Sequence, residues 1–112
     1  GSFPGIRPEE HALALSFLYH HAVARGEWAV KALPELYREM DLMPVEAINA
    51  RKALASMPPL IKGYLRLGAM IGEGAVVDHA FYTTDVLIVL PISSISDRYR
   101  NYYGADAGRF AS

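Results

Sequence analysis

The sequence contains no cysteine. That excludes disulfides, thiolate metal sites and a cysteine nucleophile, and it suits a reducing compartment. Long hydrophobic runs are missing too: the longest, Val86 to Leu90 followed by Pro91 and Ile92, falls far short of the roughly 20 residues of a membrane-spanning helix. No basic and apolar leader precedes Gly1-Ser2-Phe3-Pro4-Gly5, so a signal peptide is not expected. Neither sign of charge is in excess, with 11 Lys and Arg against 12 Asp and Glu. Only a local patch could therefore attract nucleic acid or an anionic membrane. These absences predict a cytoplasmic chain, at most peripheral to a membrane. Glycine-rich P-loops, dinucleotide-binding loops and a Gly-x-Ser-x-Gly nucleophile elbow are also lacking, and Gly72-Glu73-Gly74 reads as a turn.

Apolar residues make up 52% of the 112, enough for one core, so residues 1–112 are expected to form a single domain. Pro8, Glu9 and Glu10 suit a first helical turn, and Leu13, Phe17, Leu18 and Ala22 continue at helical spacing. A helix over about 8–25 is predicted, closed by Gly26. Leu15, Tyr19 and Val23 widen its apolar stripe, so it should be packed on more than one side. Residues 27–42 give a mixed signal: Trp28, Val30 and Leu33 alternate as in an edge strand, whereas Glu35 to Met40 could turn helically. Asn49 is placed to cap a short helix through Ala50, Ala53, Leu54 and Met57, ended by Pro58 and Pro59.

Pro59 starts another helix, to about Met70, with Leu60, Tyr64 and Leu67 on one side and Lys62 and Arg66 on another. A short strand follows over Ala75 to Asp78. Thr84 to Ile92 is continuously apolar and β-branched, the pattern of a strand covered on both faces. Asp97 is positioned to cap a last helix over Arg98 to Tyr103, stopped by Gly104. The pattern yields an α+β chain, rich in helix, with a small sheet. One clear strand and two weak ones cannot pair both edges and cover both faces of a central strand. The sheet is therefore expected to be incomplete.

The run Met57-Pro58-Pro59-Leu60-Ile61-Lys62-Gly63-Tyr64-Leu65-Arg66-Leu67-Gly68-Ala69, with Asp78, Phe81 and Thr83-Thr84-Asp85-Val86 after it, closely resembles bacterial hemolysin-like acyltransferases. This family includes ornithine-lipid N-acyltransferases and many proteins labelled hemolysins. Ser2-Phe3-Pro4-Gly5 and Arg98-Tyr99 extend the resemblance over nearly the whole chain, with residues 27–50 matching less clearly. The resemblance implies the C-terminal portion of a GNAT-type fold, starting near the end of the fifth strand. The N-terminal half, with the loop that cradles the acyl donor, would lie elsewhere, which would explain the strand deficit and leave this part inactive alone. No tightly bound cofactor is implied. The donor substrate would be acyl carrier protein or acyl-CoA, and the acceptor an amine.

Several residues are candidates for that chemistry. Lys62 and Arg66, at i and i+4, make a two-cation face that could hold the phosphate of a carrier or donor, with Arg51 and Lys52 extending it if the two short helices lie side by side. The plain reading is a solvated helix face. Asp85, at the start of the apolar strand, and His79 beside Asp78 offer a base and an orienting carboxylate for deprotonating an ammonium group. The plain reading of Asp78-His79 is turn chemistry, and Asp85 at that place needs a partner to be tolerated. Many GNAT enzymes carry a tyrosine general acid on the helix after the fifth strand, and Tyr19 lies on the corresponding helix here, with core packing as the alternative. His11, His20 and His21 lack the spacing that aims two imidazoles at one metal. Tyr99, Tyr102 and Tyr103 with Arg98 and Arg100 fit a packed terminal helix better than a stacking surface.

Three functions compete. The first is an acyltransferase part, with acyl carrier protein and the missing half as partners. Next comes a non-enzymatic interaction or dimerisation module, pairing through open sheet edges. Pore formation ranks last, because no span of membrane-crossing length is visible.

Overall fold

The computed structural model describes residues 1–92. The described residues form a small α+β unit with three α-helices and two small antiparallel sheets. The expected terminal helix from Asp97, and its tyrosine cluster, lie outside the described residues.

The chain opens on β1 (Ser2–Pro4), and Pro8–His11 then forms a single 3-10 turn with Glu9 and Glu10 at its positive end. Helix α1 (Ala12–His21) follows. Leu15 and Leu18 are fully buried and only His21 is exposed, so the helix is enclosed on several sides as its wide apolar stripe predicted. It stops short of the expected Arg25 because the next residues are claimed by another strand. Ala24 N–H donates to Ile71 O and Ile71 N–H to Ala22 O, both at 2.8 Å. Gly26 does not close the helix but starts a further 3-10 turn.

Residues 27–42 form neither the edge strand nor the helix their pattern allowed. They run as irregular, mostly extended chain with a turn at 34–36, and they bond at intervals to residues 73–75. The contacts are reciprocal: Ala32 N–H to Glu73 O, Glu73 N–H to Val30 O, and Arg38 and Ala75 exchanging both bonds. Ser16 ties the segment down from α1. Its buried hydroxyl donates to Met40 O at 3.2 Å and accepts from Leu42 N–H at 3.0 Å, so a polar side chain inside the helix is fully used.

Helix α2 (Ala50–Ser56) is capped as predicted, Asn49 Oδ1 accepting from Lys52 N–H at 3.0 Å. It packs on α1 through Ala53. Helix α3 (Pro59–Arg66) begins at the expected proline but ends at Arg66, four residues early, with Gly68 two residues on at a φ of 90° that suits glycine. Its inward residues are Ile61 and Leu65. Leu60 is 66% exposed and Leu67 also lies outward, so the apolar side read from Leu60, Tyr64 and Leu67 is not the one that packs.

Met70 belongs to β2 (Met70–Ile71), which pairs with β5 (Ile88–Val89). The other sheet is β1-β4-β3, with β3 (Val76–Asp78) and β4 (Thr83–Asp85) joined as a hairpin. Thr84 to Ile92 is thus not one continuous strand. It breaks at Val86 and Leu87 into strands of two different sheets, Leu87 being 54% exposed and Ile92 81%. Nor does the chain lack neighbours for β4, since β1 and β3 pair both its edges. The most widely bonded backbone lies elsewhere, in Ile71 to Ala75. Within it Gly72-Glu73-Gly74, expected to be a turn, bonds to residues 30–32 through Glu73 and to Leu87 through Gly72, while Ile71 receives residues 22–24 and Ala75 receives Arg38.

Phe3, Leu15, Leu18, Met40, Ile61, Ile71 and Val86 meet in one core. Each fully buried side chain of this size contributes on the order of 1.5–3 kcal/mol. Because α1, α3 and both sheets all supply members, the two sheets are held as one packed unit.

Candidate functional site

In the register of the three-stranded sheet, Phe3, Thr84 and Val77 are aligned, and so are Ser2, Asp85 and Val76. Side chains alternate faces along a strand. Phe3 and Thr84 face the core, and Asp85 points to the opposite side. There it borders a cavity of about 250 Å³, shared with Lys31, Glu73, Val76 and Leu87. Asp85 has the partner its position required: Ser2 Oγ donates to its Oδ1 at 2.7 Å.

The floor of this cavity is the glycine-flanked backbone around Glu73. At Gly72 a Cβ would press on Val30 Cγ1 and Leu87 Cβ at 3.1 Å, so a side chain there would push the two flanking segments apart by a few tenths of an ångström. Glu73 is held from one side. Tyr37 OH donates to its Oε2 at 3.1 Å, and Lys31 Nζ lies 3.5 Å from the same oxygen and 5.3 Å over the Tyr37 ring. Burial first, then this hydrogen bond and the charges of Glu39 and Glu73, push the Tyr37 phenol up to about 12. Tyr37 is therefore a fixed donor that orients Glu73, and not a proton carrier near neutral pH. Lys31, by contrast, is largely exposed, and such an ion pair holds with only about 0–1 kcal/mol. Lys31 and Glu73 also border an open groove with Leu33, Tyr37 and Glu39 on the far side.

The remaining sequence-predicted residues lie apart from this cavity. Asp78 caps the hairpin loop, its Oδ1 accepting from Ala80 N–H at 2.9 Å and Phe81 N–H at 3.0 Å, which is turn chemistry. His79 is exposed on that loop, while Asp85 stands at the other end of β4. At about 3.3 Å per strand residue, the structure does not bring His79 and Asp85 together as base and orienting group. Tyr19 packs against the core, its ring edge-on to His20 at 5.2 Å. Lys62 is half-buried and Arg66 exposed on α3. Because α2 packs on α1 and not alongside α3, the condition for Arg51 and Lys52 to extend that cation face is not met.

The histidines have separate partners. His11 Nε2 is 2.7 Å from Pro4 O, His20 Nε2 is 3.0 Å from Asp41 Oδ1, and the His21 ring lies tilted against Phe17 at 5.0 Å. Among the described residues no helix is long and apolar enough to cross a membrane.

Sequence reasoning missed Lys31, Tyr37 and Glu73. The signal that could have found them is a lone carboxylate within Ala69-Met70-Ile71-Gly72-Glu73-Gly74-Ala75-Val76-Val77, where an otherwise apolar run admits one charge.

Comparison with known proteins shows a class first: this chain is similar to part of proteins named as acyltransferases. Those from Rhizobium meliloti (strain 1021), Agrobacterium fabrum (strain C58 / ATCC 33970) and Brucella abortus (strain 2308) are each named L-ornithine N(alpha)-acyltransferase. The first is 77% identical over 112 residues, all of this chain and 38% of the relative. The second is 72% identical over 96% of the chain and 37% of the relative, and the third 65% over 97% and 39%. The resemblance read from residues 57–69 and 78–86 therefore extends along the whole chain. The chain spans little more than a third of the length of the curated relatives it matches. No protein-family model matches it, and no solved structure does.

Proposed function

We propose that this chain is the C-terminal part of a GNAT-type N-acyltransferase that moves a fatty acyl group from acyl carrier protein or coenzyme A to the α-amine of ornithine. The carrying observation is identity of 65–77% along essentially the whole chain to three proteins of that one name. In the step itself the acceptor nitrogen attacks the thioester carbonyl, a C–N bond forms, the C–S bond breaks, and the thiolate leaves. The proton lost by the ammonium passes to a base and then to the leaving sulfur. Asp85 is suited to the base role: it borders a cavity, has one oxygen held by Ser2, and has its other oxygen without a hydrogen bond among the described residues. Lys62 and Arg66 are assigned to the phosphate of the donor or its carrier. The cavity in this part would be completed by the rest of the longer protein, so this part alone is expected to be inactive. The setting is cytoplasmic, at the membrane surface where a lipid product would be released.

The test uses the full-length protein with 3-hydroxyacyl carrier protein. Ornithine should release free carrier thiol with N-acylornithine formed in equal amount, and absence of thiol release with every amino acid tried would refute the reading. A second reading, as an interaction module, draws on Phe81 at 79% exposure and Leu60 at 66%. Retention of a partner or dimer by a protein devoid of transfer activity would favour it.

A further inference from the structure

The cavity beside Asp85 combines two features. Its walls are mostly aliphatic, from Val76, Val86 and Leu87, and charged ends meet at its rim: Glu73, Asp85 and Lys31. Each carboxylate is held by the protein through one oxygen only. Tyr37 and Lys31 both engage Glu73 Oε2, and Ser2 engages Asp85 Oδ1. Among the described residues, Glu73 Oε1 and Asp85 Oδ2 accept no hydrogen bond. Two oriented carboxylates with spare acceptor oxygens are thus set around a short apolar slot.

We infer that this cavity is the acceptor subsite, and that it selects a short aliphatic molecule carrying two ammonium groups and one carboxylate. Glu73 and Asp85 each receive an ammonium, the aliphatic stem lies on Val76 and Leu87, and Lys31 takes the carboxylate. The inference rests on the acyltransferase reading for its acceptor and adds the residues that choose it. The charge count is the reason for the match. Lys31 is exposed and only weakly tied to Glu73. An incoming carboxylate can draw it away while an ammonium replaces it at Glu73, so charge stays balanced throughout binding. Tyr37 keeps Glu73 in place during that exchange, because its hydroxyl remains a donor. Tyr37 is thus a positioning residue and Glu73 a specificity residue.

The experiment compares ornithine, norvaline and putrescine as ligands of the full-length protein. Norvaline lacks the second amine and putrescine lacks the carboxylate. Binding is followed without acyl donor, by calorimetry and by the amide resonances of Gly72 and Gly74, and transfer is followed separately with donor present. Wild-type protein should bind ornithine best and shift both glycine resonances. Glu73→Gln should weaken ornithine about 10- to 100-fold, the loss expected for one charge-assisted contact, while norvaline changes little and the KM for the acyl donor does not move. Lys31→Met should erase the preference for ornithine over putrescine.

If transfer to ornithine proceeds but Glu73→Gln leaves its KM and the norvaline ratio untouched, the subsite is wrong and the acyltransferase reading stands. If ornithine binds with those glycine shifts but nothing is ever transferred, the subsite stands and the activity falls. Should Glu73→Gln fail to fold, the wild-type glycine shifts decide: ornithine binding that leaves Gly72 and Gly74 unmoved overturns the proposal.

Discussion

Replacing glycine by alanine at two positions, Gly63 and Gly74, should move stability in opposite directions. Gly63 lies inside α3, and a Cβ there meets no atom within 4 Å. Alanine restricts the unfolded chain and favours the helix, a gain of about 0.5–1 kcal/mol. Gly74 has a φ of 95°, and its added Cβ would run into the Tyr37 ring and stand 3.1 Å from Ala32 Cβ. The left-handed backbone costs an L-residue about 1–2 kcal/mol, and forcing the ring aside about 1–3 kcal/mol more, including the Tyr37–Glu73 hydrogen bond. A loss of roughly 2–5 kcal/mol follows. Urea unfolding followed by circular dichroism reads both, and in thermal melts the two variants should stand at least about 10 °C apart. Tryptophan emission from Trp28, which precedes the displaced segment, gives a second probe of cooperativity. A Gly74→Ala protein as stable as the parent would refute the reasoning, since it would mean that the close seating of Tyr37 against residues 72–74 is not what the geometry describes.

Ser16→Ala should cost about 1–3 kcal/mol, because Met40 O and Leu42 N–H lose the hydroxyl that joins them in a buried place; a loss of unfolding free energy under half of that in urea titrations would count against the latch. The Tyr37 phenol is raised from 10.0 to about 12, so its protonated form is favoured by folding. That contribution is complete below pH 10 and is lost as pH rises towards 12. In Tyr37→Phe the stability difference from wild type should shrink across that window, and a difference independent of pH would show that the bond to Glu73 does not matter. For the donor face, Lys62→Ala with Arg66→Ala should raise the KM for the acyl donor about tenfold in the full-length protein and leave that for ornithine unchanged; an unaltered donor KM would leave the pair as a solvated face.

Local chemistry made some elements legible and hid others. Asn49 capping α2 and proline starting α3 were readable because caps and first-turn prolines act within one turn of chain. The end of α1 was not, because Ala22-Val23-Ala24 is acceptable helix by itself and leaves it only when Ile71 supplies better-placed hydrogen bonds. The apolar run from Val86 to Ile92, read as one strand with Thr84 and Asp85, carried no sign that the strand divides at Leu87 between two sheets, since a pattern of side chains does not say which backbone it will meet. Asp85 was found as a candidate because a carboxylate before an apolar run is conspicuous. Lys31, Tyr37 and Glu73 were not, because they lie 36 to 42 residues apart or in a stretch of mixed signal and become neighbours only across the fold.

By itself the sequence determined the class of the chain: α+β, without disulfides, built from short helices whose starts it marks, and with an acyltransferase likeness carried by residues 57–69 and 78–86. Tertiary structure alone decided which backbone lies at the centre. Gly72-Glu73-Gly74 looked like a turn because glycine is common in turns, yet the same absence of a side chain lets segments from both sides pack against it. The carboxylate between those glycines is thereby placed at the rim of a cavity with Asp85 and Lys31, an arrangement that spacing along the chain could not express.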